Sequence, residues 1–134
     1  MTTFPEWIIP SNIAQLVEEN DDLWEDTRWH PILLTVLGGT SYRGRDIPLS
    51  WQLEFEPSNT ALVVANAKIQ ALGVEADGYG WAQVIGSVVS QHHAELAEEL
   101  HFGDTDTDAL VVWVESEESC GLLMRVVWSL FHAT

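Results

Sequence analysis

Basic residues are scarce in this chain: five Lys and Arg stand against 21 Asp and Glu, a formal net charge of −16 over 134 residues. A field of that sign repels phosphate and anionic headgroups, so neither a nucleic acid nor an acidic membrane surface is an expected partner. Cysteine is almost absent. Cys120 stands alone, which rules out an intramolecular disulfide and removes any argument for an oxidising compartment. Flanked by Ser119 and Gly121 at the start of an apolar stretch, it reads as a small core residue. No apolar run approaches the length of a bilayer span, and Glu6 rather than a basic region lies near the N-terminus, so the cytoplasm is the expected location.

Chemical signatures are missing as well. There is no HExxH pair, no P-loop and no nucleophile elbow. Gly78-Tyr79-Gly80 lacks the third glycine of a dinucleotide fingerprint and reads as a turn. His92 and His93 are adjacent, so on a helix they point about 100° apart and cannot share a metal ion comfortably. The expectation is therefore a protein that is not an enzyme and carries no cofactor.

Apolar material is plentiful. A hydrophobic fraction of 46% and seven tryptophans give one domain enough to build a core without staples. The spacing of Ile13, Leu16 and Val17 predicts a helix over 12–20, capped by Ser11 or Asn12. A buried strand is expected at 32–37, and a half-buried strand at 51–56, where Trp51, Leu53 and Phe55 alternate with Gln52, Glu54 and Glu56. The segment between them, with Tyr42, Arg43, Arg45 and Pro48, reads as a polar loop too long for a tight turn, and as a positive island.

Beyond Pro57, Leu62, Ala65, Ile69 and Leu72 form a helical stripe ending at Gly73, with Ser58 or Asn59 as cap, although Val63 and Val64 make a strand a rival there. A longer helix is expected from Trp81 to Leu100, then a buried strand at 109–114. A closing helix over 117–131, started by Ser116, buries Leu122, Leu123, Val126, Val127 and Leu130. The fold class is α+β, a small, mainly antiparallel sheet packed with helices, in the order α-β-β-α-α-β-α within a single domain. Trp51, Trp81 and Trp113 are its expected core anchors.

Two acidic clusters are candidate partner-binding surfaces. The first, Glu18, Glu19, Asp21, Asp22, Glu25 and Asp26, encloses Trp24, and an aromatic set among charges has the make-up of an interface. The second is Asp104, Asp106 and Asp108. With Glu115 these match the first, third, fifth and twelfth positions of an EF-hand loop, but Ala109 stands where the turn glycine belongs and a strand follows, so a plain acidic turn is expected.

Gly78-Tyr79-Gly80-Trp81 before an amphipathic helix, then Leu100-His101-Phe102-Gly103-Asp104, an apolar strand, and Ser116-Glu117-Glu118 at a last helix resemble the immunity protein 51 family of bacterial polymorphic toxin systems. The likeness covers about residues 78–131, with Gly80 in place of the family's usual Asp. It implies an α+β cytoplasmic antitoxin that binds and neutralises a cognate toxin delivered by a neighbouring cell, with Tyr79 and Trp81 as core anchors. A nuclease toxin must hold phosphate in a basic site, and an acidic inhibitor would complement it. The alternatives are a small acidic adapter or secretion chaperone and, third, a calcium-binding domain.

Overall fold

The computed structural model describes residues 3–132. Four antiparallel strands, β1 (Leu23–Asp26), β2 (Leu33–Tyr42), β3 (Arg45–Phe55) and β4 (Leu110–Val114), lie in the order β1-β2-β3-β4. Five helices accompany them: α1 (Ile13–Glu19), α2 (Val63–Ala71), α3 (Gly78–His92), α4 (Ala94–Ala97) and α5 (Glu117–His132). The α+β class and the antiparallel sheet are as expected. The order differs by one strand and one short helix.

The additional strand is β1, hidden in the acidic run. The chain leaves α1 through Asp21 and Asp22, both at positive φ (56° and 64°), a conformation that aspartate tolerates better than most residues. The Asp22 amide donates to the Val17 carbonyl, and the Asp22 carbonyl accepts from Gly38, which aligns β1 on β2. Neither Ser11 nor Asn12 caps α1 through a side chain; Asn12 occupies the position without such a bond.

A second correction concerns the segment between β2 and β3. It is a tight hairpin: Tyr42 pairs with Arg45, and Arg43 and Gly44 form a two-residue turn with φ of 52° and 76°. Positive φ at both central residues matches the right-handed twist of the strands, so polar composition here marked an exposed hairpin instead of a loop. Pro48 sits inside β3, opposite Gly39, at the one pair the ladder skips.

The expected 81–100 helix begins earlier and breaks. Asp77 caps α3, its Oδ1 accepting from the Gly80 amide at 2.8 Å, so Gly78-Tyr79-Gly80 is the first helical turn. His93 leaves the helical region, and α4 is a separate four-residue piece. Asn59 caps a 3-10 turn ahead of α2, and the Ser116 hydroxyl accepts from the Ser119 amide at the start of α5, both as read from the sequence.

Alternation along the strands divides the sheet into two faces, because residues paired across strands share a side. One face presents Trp24, Leu34, Val36, Trp51, Leu53, Phe55, Leu110, Val112 and Val114 to the helices. There Trp81, fully buried, packs edge-on against Phe55 and Phe131 at 5.5 and 5.3 Å and donates its indole N–H to Asn66. Trp51 and Trp81 are core anchors as expected, whereas Tyr79 is 57% exposed. In α5 the buried set is Cys120, Leu123, Met124, Val126, Val127, Trp128 and Phe131; Leu122 and Leu130 are not in it.

Candidate functional site

The opposite sheet face joins no part of the helix-packed core. Its side chains follow from the register in rows across the strands: Leu23, Leu37 and Ser50; Glu25, Thr35, Gln52 and Trp113; Leu33, Glu54 and Val111. None of these ten residues belongs to the core cluster, which takes their strand neighbours instead. Trp113, expected as a core anchor, therefore lies on this second face, buried by other means.

A loop after α4 supplies that cover. His101 pairs with Trp113 through two backbone hydrogen bonds of 3.1 and 3.0 Å, and its ring stacks on the indole with centroids 3.9 Å apart. The Thr105 hydroxyl both donates to the Val111 carbonyl and accepts from its amide. The outer edge of β4 is thus closed by side chains and backbone of the loop, which removes an open edge that could template strand pairing. Tyr42 stands edge-on to both rings, at 4.9 Å from His101 and 5.3 Å from Trp113.

Between the hairpin and this loop the face is hollow. The concavity has a volume of about 330 Å³; Thr40, Ser50, Gln52, Tyr42, Trp113 and Asp104 are among its lining residues. Arg45 and Glu115 form a forked ion pair nearby, with contacts of 2.5 and 2.8 Å, and His101 Nε2 lies 3.7 Å from Glu115. The hydrogen bonds from Arg45 hold the Glu115 carboxyl below its ordinary range against the opposing effect of burial. Arg43 lies 5.2 Å over the Tyr42 ring. The island expected to be positive is therefore neutralised at Arg45.

The sequence-derived acidic residues disperse over several surroundings. Glu18 and Asp22 line a different hollow, with Val17, Gly38, Gly39 and Leu49, on the side of α1. Glu19 is exposed and accepts from Gln15, and Asp21 is exposed in the turn. Trp24 points toward the helices and is partly buried against the core, so it is not the exposed aromatic that its setting suggested. Asp26 holds Arg28 at 2.6 Å and also accepts from the Arg28 backbone amide. Burial pushes the Asp26 carboxyl up, but the hydrogen bonds and charge of Arg28 outweigh it and the carboxyl rests below its ordinary value.

The second cluster divides likewise. Asp106 Oδ1 accepts from the amides of Asp108 and Ala109, closing a turn on its own backbone, while Asp108 borders a hollow beside α2. Only Asp104 reaches the concavity on the open face. Glu25 is on that same face, at the opposite edge of the sheet. The structure thus joins one residue from each cluster across a single surface.

Gln52, Tyr42, His101 and Trp113 were not singled out for this surface. The 51–56 alternation already placed Gln52 on a wet side, but an unbroken apolar run such as 110–114 carries no period that assigns Trp113 to a face. In chemical terms the surface offers carboxylates, an amide, hydroxyls and aromatic rings. The Ser50 hydroxyl meets Thr40 at 3.3 Å, and among the described residues no serine or cysteine is hydrogen-bonded to a histidine. Cys120 is buried, and burial pushes its thiol far up, out of reach of the thiolate form. Among the described residues no helix is long and apolar enough to cross a membrane. The chain matches no protein-family model, no curated protein and no solved structure.

Proposed function

We propose that this chain is a toxin-neutralising immunity protein, which binds a cognate toxin domain in the cytoplasm and blocks it, a basic nuclease being the target its charge fits best. The observation that carries the reading is unneutralised charge. Among the described residues only Asp26 and Glu115 pair with an arginine, so most of the carboxylates behind the net charge of −16 have no arginine partner. Such a field accelerates encounter with a basic protein and disfavours nucleic acid as a direct ligand. The likeness over residues 78–131 adds the biological setting.

A small acidic adapter or secretion chaperone would carry the same charge, and one experiment separates the two. The chain is co-expressed with the product of the gene immediately upstream. An immunity protein co-purifies with that product and restores growth to cells that it otherwise kills. A complex that forms while the partner stays toxic would favour the chaperone, and the absence of both complex and protection would sink the immunity reading.

A further inference from the structure

We propose that the partner docks on the helix-free sheet face and seats an arginine side chain in the concavity bounded by Tyr42, Gln52, Trp113 and Asp104. The partner's identity rests on the proposed function; the choice of surface rests on the geometry. An antiparallel sheet commonly leaves one face to water, and such faces alternate toward polar residues. Here Leu23, Leu33 and Leu37 are half-buried and lie on the face together, without joining the core. Leucines in the rows on either side of a polar central row, beside a pit with aromatic walls, give the mixed apolar and polar surface that protein interfaces use.

Charge selects the occupant. Glu25, Glu54 and Asp104 occupy or border the face, and among the described residues none has a cationic partner within ion-pair distance. Arg45, the one cation placed beside Glu115, is already bound. A guanidinium entering the pit would meet the Asp104 carboxylate, the Gln52 amide oxygen and the hydroxyls of Thr40 and Ser50, all acceptors that its five N–H donors can use. Arg43 already lies over the Tyr42 ring in the free protein, so an incoming guanidinium is held by these acceptors and not by that ring face. One alternative apolar surface, Val63, Val64 and Leu72 on and beside α2, falls in a stretch with no carboxylate from Pro57 to Val74, so it does not suit a basic partner; another, Leu122 beside Trp7, is bordered by Arg125 as well as by Glu117 and Glu118.

The test uses a capped hexa-arginine peptide as probe, titrated at low salt into the isotope-labelled full chain while amide and indole resonances are followed. The largest shifts are expected at the Gln52 side-chain amide, the Trp113 indole N–H and the Gly103 amide. Gln52→Arg is expected to weaken the peptide by about tenfold or more, through bulk and like charge. Asp104→Asn, at an exposed residue whose side chain makes no hydrogen bond among the described residues, is expected to give a smaller weakening and keeps the test decisive if the first variant is unstable. Glu18→Gln with Asp22→Asn is expected to stay within about twofold. Shifts centred on the Glu18 and Asp22 hollow, or unchanged binding by both Gln52→Arg and Asp104→Asn, would overturn the surface while leaving the immunity reading intact. Failure of the upstream product to bind would do the reverse.

Discussion

At position 80 a side chain has no room: a Cβ there would come within 1.7 Å of the Glu75 carbonyl oxygen, and one at Gly78 within 1.8 Å of the Asp106 carbonyl oxygen. Both obstacles are backbone, so neither can swing aside. Glycine at position 80 is therefore a packing requirement of this chain, and Asp77 caps the helix by accepting from the Gly80 amide. Gly80→Ala is expected to lower the urea midpoint severely or prevent folding, although alanine is the better helix former; a midpoint equal to that of the wild type would refute the close approach. Asp26 carries a pH-dependent contribution. Its carboxyl is held below the ordinary value when folded, so its contribution is present above the unfolded pKa and is lost as pH falls through the folded one. Asp26→Asn should be less stable than wild type at neutral pH, and the gap should close from about pH 4 downward. A gap constant from neutral to acid pH would show that the Arg28 pair is not its source.

At the scale of elements, what could be read in advance depended on periodicity. The Trp51, Leu53 and Phe55 alternation and the α5 stripe state their own faces, and both helix starts at Asn59 and Ser116 carry a capping side chain. By contrast β1 has four residues, two of them acidic, and is a strand only because Asp22 and Gly38 align it on β2. The hairpin was disguised by Gly38, Gly39 and Pro48, residues that end strands elsewhere. The site was less legible than the fold, since Tyr42, Gln52, His101 and Trp113 come from β2, β3, the loop after α4 and β4, which only the strand registers and the loop bring together. That loop is itself a testable element. Thr105→Val keeps the shape but removes both bonds to Val111, one of them from a buried amide, at a cost of about 1–3 kcal/mol. The expected readouts are a lower urea midpoint and faster hydrogen exchange at the Val111 amide, with α2 amides unaffected. Equal exchange in both proteins would mean that the loop does not hold the β4 edge.

Over the whole molecule, charge of one sign opposes the compact state that the core builds. With two carboxylates paired to arginine and the rest facing one another through solvent, folding gathers like charges that an unfolded chain keeps farther apart. Mobile ions weaken this repulsion over a Debye length of about 10 Å at 0.1 M, which is comparable to the spacing of charges on a small domain. The two arginine pairs respond in the opposite direction, but Arg45 is largely exposed and such pairs contribute little. Repulsion should therefore dominate, and the midpoint of thermal unfolding is expected to rise by several degrees between about 0.01 and 0.3 M sodium chloride. A chloride salt is the right choice, because sulfate would stabilise any fold by exclusion from its surface. The same screening should slow association with a basic partner, so stability and association rate are expected to move in opposite directions as salt is added. A melting temperature that stays flat or falls over this range would mean that the surplus charge is too widely spaced to act on the fold, and the long-range field invoked for partner capture would lose its main support.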